Sequence, residues 1–202
     1  MIRLVILAMC ATATAHADGY YFDESFGLST TRGSARSALD SSLHLKLGVG
    51  MRIGAVSIEP WVSSDLSWDR DDATFGVFAG TPAPGHADLV AVGIDAKYTA
   101  PLSHHLGIYV RGGPRFASGS TALDGYYGSG IGVGTGIELV GQVNAFGYLW
   151  APLFLLKRGP KVHGALFLDQ GLDLYRLQAA HAPSLGAAIA STSIGFSIGT
   201  DF

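Results

Sequence analysis

The chain has 202 residues, 48% of them hydrophobic and only 14% charged, with 28 glycines and a formal net charge of −3. That charge argues against a nucleic-acid partner, and the charged fraction lies well below the roughly 25% of an ordinary soluble domain. Yet the longest apolar run, Tyr148 to Leu156, is too short for a membrane-spanning helix and contains Pro152.

The first segment, MIRLVILAMCATATAHAD, has a positive charge at Arg3, an apolar run from Leu4 to Met9 and a small-x-small site at Ala15-His16-Ala17. Residues 1–17 read as a cleaved secretory signal peptide, with the mature domain spanning 18–202. Cys10 lacks the small preceding residue that a lipoprotein box needs, since Met9 stands there. Cleavage after Ala17 would leave no cysteine, hence no disulfide frame, thiolate nucleophile or cysteine metal site.

Strict two-residue alternation then recurs down the chain, the mark of strands with unlike faces. After a strand at 19–31, LHLKLGVGMRI puts Leu43, Leu45, Leu47, Val49, Met51 and Ile53 on one face and His44, Lys46, Gly48, Gly50 and Arg52 on the other. Further strands are expected at 42–53, 56–68, 88–100, 105–117, 128–140, 162–178 and 189–202. That makes eight. The stretch 142–156 also alternates in part. It is either the bulged end of the sixth strand or, together with 73–80, the basis of a ten-stranded arrangement.

The connections differ in length. IGAV and APLSHHL are tight. TTRGSARSALDSS, WDRDDATFGVFAGTPAPGH, ASGSTALDGYY and QAAHAPSLGAA are longer and polar. An exported, apolar chain without a spanning helix can satisfy its backbone in lipid as a closed sheet with alternate residues facing outward. The expected fold is therefore an all-β, closed antiparallel up-and-down transmembrane β-barrel.

In the last stretch, STSIGFSIGTDF, residues Ile194, Phe196, Ile198 and Phe202 share one parity. The signal peptide, the alternation, the loop asymmetry and this ending together resemble small bacterial outer-membrane β-barrels of the OmpA/OmpX-like eight-stranded type. The resemblance covers about residues 19–202 as a pattern rather than a motif. It implies residence in the bacterial outer membrane, contact with lipid and lipopolysaccharide, and reading of Ile194, Phe196, Ile198 and Phe202 by the barrel-assembly machinery. Thr200 departs from that signal, where an apolar residue is commoner.

By parity the inner face carries Lys46, Arg52, Lys97, Arg111 and Arg115 against Glu59, Asp65, Asp95, Glu138, Asp169 and Asp173. An eight-stranded barrel has an interior that side chains can fill, and buried charges must be paired. The expectation is a charge-plugged lumen with Arg52, Glu59, Arg111 and Glu138 at the centre of its salt-bridge network. The role implied is structural or surface-interacting, with no cofactor. Three alternatives stand beside it: a small gated pore, an outer-membrane lipid-modifying enzyme, and a secreted soluble ligand-binding barrel with both faces reversed.

Catalytic candidates are sparse. Ser103-His104-His105 falls in a tight turn, where polar residues are ordinary. His181 and Ser184 fall in an expected outer loop. No catalytic residue is assigned, and the chain is read as a non-enzyme. Asp69, Asp71 and Asp72 surround Arg70 at the expected outer rim, most plainly as solvated groups. Sharing a divalent cation with lipopolysaccharide phosphates is the alternative. Trp61, Trp68, Tyr98, Tyr148 and Trp150 suit the aromatic girdles at the two membrane interfaces.

Overall fold

A computed structural model describes residues 19–36, 39, 41–67, 87–120, 123–142 and 162–201. Eight strands follow one another: β1 (Gly19–Gly33), β2 (Ser41–Ile53), β3 (Val56–Ser67), β4 (Asp88–Pro101), β5 (Leu106–Gly119), β6 (Tyr127–Gln142), β7 (Val162–Ala179) and β8 (Ala182–Asp201). Each pairs antiparallel with its chain neighbours, and β1 pairs with β8, so the sheet closes into a barrel. A walk along register partners from Gly19 through Arg52, Ser57, Lys97, Arg111, Gly134, Gly171 and Ser191 returns to β1 at Ser29, ten residues on. That stagger tilts the strands steeply and leaves an interior that side chains fill.

The alternation becomes an inside and an outside. Leu45, Leu47, Val49, Val90, Val92, Ile94, Ile131, Val133, Leu166 and Leu168 are all exposed on the outer surface. Asp23, Glu59, Asp95, Lys97, Arg115, Glu138 and Asp169 are buried on the inner one. The faces are thus opposite to those of a soluble ligand-binding barrel.

Local chemistry sets the turns. Gly54 takes φ 60°, which a two-residue hairpin between Ile53 and Val56 requires and which glycine adopts without strain. Pro114, with no N–H to give, sits where the β4–β5 ladder lacks paired residues between Gly93↔Arg115 and Ala96↔Gly112.

The layout departs from the sequence expectation at two connections. The β7–β8 connection is a tight turn at Ala180 and His181, and β8 begins at Ala182 rather than 189. Both strands extend beyond the membrane-length segment, so Ser184 lies within β8 and His181 in the turn, not in a long loop. Conversely, β6 ends and β7 begins at the end of the barrel that carries the tight turns, yet 143–161 separates them. Short and long connections are therefore not cleanly sorted by side. The signal peptide 1–17, the acidic group Asp69, Asp71 and Asp72, Trp68, Tyr148, Trp150, Phe202, the candidate strand at 73–80 and the stretch 142–156 after Gln142, which ends β6, lie outside the described residues.

Candidate functional site in the barrel lumen

The small residues of β6 make room for the long side chains of β5. A Cβ on Gly134 would stand 2.9 Å from Arg111 Nε. At Gly132 it would collide with Arg115 and Asp173, and at Gly136 with the Tyr109 ring. Gly50 on β2 likewise leaves the space that the Tyr21 ring fills. The glycine-rich inner positions are the complement of the charged and aromatic ones.

Asp95 on β4 is the hub. Its Oδ2 accepts from Arg111 Nη1 at 2.8 Å and its Oδ1 from Arg115 Nη1 at 2.6 Å. Arg111 also reaches Asp169 through Nε at 3.0 Å and Nη2 at 2.5 Å, a two-pronged contact. Tyr109 donates to the same carboxylate at 2.7 Å. Arg115 Nε donates to Asp173 at 2.7 Å.

A second group centres on Glu59. Lys46 Nζ donates to its Oε1 at 2.6 Å and Tyr21 donates to its Oε2 at 3.1 Å. Lys46 lies 3.7 Å from Asp95, which joins the two groups. Towards the tight-turn end, Glu138 faces Lys97 at 3.2 Å and Arg52 at 3.5 Å. Lys97 stands 4.1 Å from the centre of the Tyr109 ring, within cation–π range.

Of the four residues expected to form the core of the network, the structure therefore brings Arg52 and Glu138 together. It sends Glu59 to Lys46, and Arg111 to Asp95 and Asp169. Asp95 and Asp169, read only as members of the inner set, hold the central arginine. Asp23, which the reading of the inner face omitted, lines the same interior with Ser25, Lys46, Glu59, Lys97, Tyr109, Arg111, Phe167 and Asp169. The space between them is about that of one water molecule. Asp23 shares its parity on β1 with Tyr21 and Ser25, which are also buried.

Trp61 is corrected. It belongs to no girdle but lies inside the barrel, 6% exposed, with Arg115 at 4.7 Å and Lys46 at 5.4 Å from its ring. The cause is parity: Val62 next to it faces out. Tyr98 keeps the outward parity and is half-buried near the tight-turn end. Ile198 shares the outward parity of Ile194 yet is buried, with the bulky Phe22 as its register partner on β1.

Above the ionic layer, towards the end of the barrel that carries Leu39 and Leu123, the interior turns apolar. Leu39, Leu89, Leu123, Leu177 and Ile189 are buried together with several alanines and with Trp61 and Tyr175. The alternation carried this signal, because Leu89 and Leu177 sit on the parity of Asp95 and Asp173.

The catalytic candidates separate. Ser103 Oγ accepts from the backbone N–H groups of His105 at 3.3 Å and Leu106 at 3.1 Å, which folds the exposed turn. His105 Nδ1 lies 3.2 Å from the Val140 carbonyl. A Ser/His/Asp group does assemble elsewhere: His44 Nδ1 lies 2.9 Å from Asp65 Oδ1, and Ser29 donates to that oxygen at 2.7 Å. Asp65 stands between the other two, so the serine is not placed to pass its proton to the imidazole, as nucleophilic catalysis needs. Among the described residues no group of three or more histidine, cysteine or acidic side chains is arranged to hold a metal ion.

Neither a protein-family model nor a curated protein sequence matches the chain. Solved structures do. Neisserial surface protein A aligns over 91% of this chain and 97% of its own, with TM-score 0.57 and 12% identity. The N-terminal β-barrel domain of Pseudomonas aeruginosa OprF aligns over 90% and 99%, with TM-score 0.41 and 12% identity. The outer membrane protein OprG of Pseudomonas aeruginosa aligns over 93% and 98%, with TM-score 0.42 and 12% identity. At the level of fold, this chain is an eight-stranded closed barrel of the kind seen in Neisserial surface protein A.

Proposed function

We propose that the chain is an integral protein of the bacterial outer membrane whose lumen is plugged by paired charges, and which serves as an anchor presenting its outer loops rather than as a conduit. The observation that carries this reading is the opposition of faces: leucine, isoleucine, valine and phenylalanine exposed around the barrel, and ion pairs enclosed within it. Water would penalise that outer surface, whereas a bilayer core matches it. The shared fold with Neisserial surface protein A supports the same placement. The partners are the lipid bilayer, lipopolysaccharide at the outer rim, and the barrel-assembly machinery during biogenesis.

The plug is favoured over a pore because two barriers lie in series. Asp95, Arg111, Arg115 and Asp169 tie β4, β5 and β7 across the lumen. The buried leucines close it again towards the other end. The reading makes no use of the Ser103, His104 or His105 side chains and assigns no enzymatic step.

The test is fractionation followed by reconstitution. The protein should appear in the outer-membrane fraction as a heat-modifiable band and should give little steady conductance in planar bilayers. Stable, well-defined openings would support the pore, and recovery in the soluble fraction would remove the membrane reading.

A further inference from the structure

We propose that the barrel pairs with a second copy of itself in the membrane, through the face centred on β8. The inference rests on the membrane placement above. It begins with a residue out of keeping with that placement. Glu24 on β1 has the outward parity, between Phe22 and Phe26 along the strand and between Leu47 and Phe196 across it. It makes no hydrogen bond or ion pair among the described residues. Hydrocarbon offers a carboxylate nothing, and such groups in a membrane face a partner or a wet cavity.

A second polar group interrupts the apolar band on β7. Gln170 is exposed between Leu168 and Leu172 and makes no side-chain hydrogen bond among the described residues. Its neighbour in register on β6, Thr135, is already satisfied by donating to the Tyr109 carbonyl at 2.9 Å. Glu24 and Gln170 flank β8, one on either side.

Their depths match. Gln170 pairs with Thr192 on β8, and Thr192 pairs with Leu28 on β1, a row that climbs because of the ten-residue stagger. Glu24 lies four residues below Leu28 on its strand. With a rise of roughly 3.3 Å per residue and a tilt of about 40°, the climb and the descent nearly cancel, leaving the two within about 4 Å of one depth.

A two-fold axis along the membrane normal, passing in front of β8, sets β1 of each copy against β7 of the other. Glu24 then meets the partner copy's Gln170 twice. An ionised carboxylate only accepts, and the amide donates, so the surface complements itself, as an isologous interface requires. On β8 the outward residues at this depth are Thr192, Ile194 and Phe196, and above them Ala190 and Ala188 are small enough for two backbones to approach. The same rotation brings the exposed Arg32 and Arg176 opposite each other, so water or an anion between them must screen their like charges.

The experiment uses full-length protein in native outer membranes. Thr192→Cys places a thiol beside the axis, and mild oxidation should give a band at twice the monomer mass. Val92→Cys, exposed on β4 across the barrel, should stay monomeric. Adding Glu24→Leu or Gln170→Leu to Thr192→Cys should lower the cross-linked fraction at least five-fold, while the protein stays heat-modifiable and in the outer membrane. Both leucines suit a lipid-facing surface, so loss of folding is not the expected cause. The proposal is overturned by the absence of a dimer band when the thiol reacts with a membrane-soluble maleimide, by equal cross-linking of Val92→Cys, by indifference to Glu24→Leu, or by an adduct of another mass, which would mean a different protein on this face. Failure of the membrane placement itself would show separately, as loss of the heat-modifiable outer-membrane band.

Discussion

Asp95 and Arg115 meet at 2.6 Å with neither side chain exposed to solvent. Asp95 also takes Arg111 on its other oxygen, so one carboxylate is shared by two guanidinium groups. Asp95→Ala should therefore remove one carboxylate from each of two buried guanidinium groups, leaving Arg111 with Asp169 and Arg115 with Asp173, and cost about 3–5 kcal/mol, the usual penalty for breaking a buried pair from one side. Urea unfolding in lipid vesicles measures it. Asp95→Ala combined with Arg115→Met should cost less than the two single changes added together, because both singles lose the same Asp95–Arg115 pair.

Two leucines on opposite faces should answer oppositely to the same kinds of change. Leu47 is exposed on the outer surface and Leu89 is fully buried within. Leu89→Ala should open a gap in the apolar layer and cost about 2–5 kcal/mol. Leu47→Val should cost almost nothing, whereas Leu47→Arg near mid-depth should cost about 2–4 kcal/mol. The same unfolding assay ranks all three. A spin label at Leu47 adds a direct readout: oxygen dissolved in lipid should quench it, and a water-soluble nickel chelate should not.

Glycines on the inner and outer faces should be unequal. A methyl group at Gly50 meets the Tyr21 ring, while at Gly186 it meets nothing within 4 Å. Gly50→Ala should push Tyr21 away from Glu59 and cost about 1–3 kcal/mol as overpacking. Gly186→Ala should be neutral within error in the same measurement.

The final strand carries a prediction about export rather than stability. Deleting Phe202 should weaken reading by the assembly machinery and leave the chain in the periplasm. Quantitative blotting of periplasmic and outer-membrane fractions tests this, and ordinary outer-membrane levels of the truncated chain would remove the role given to the terminal residue.

Much of the barrel was legible because a period of two is a local property. Eleven residues from Leu43 to Ile53 settle which side chains share a face, whatever the rest of the chain does. Seven of the eight strands begin within a residue of where the alternation places them, and β8 does not. Its first residues, from Ala182 to Ala188, hold one large apolar side chain, Leu185, among small ones and Pro183, and give no periodic signal. Partner choice inside the lumen was less legible. Parity places Arg111 and Glu138 on one surface, but only the stagger between strands decides that Arg111 meets Asp169 and Glu138 meets Lys97. Trp61 differs for another reason: its chemistry suits a membrane interface, but its parity, opposite to that of outward Val62, puts it in the lumen.

The pairing of β1 with β8 joins the strands farthest apart in sequence, from Gly19↔Asp201 to Gly33↔Ala187. Closing so large a loop costs the most chain entropy and is rewarded only when every intervening hairpin is in place. Until β8 docks, β1 and β7 both present open edges, which invite pairing with foreign strands. A sheet of β1–β7 without β8 would thus have two unpaired edges, and both are closed by the one strand that carries Ile194, Phe196 and Ile198.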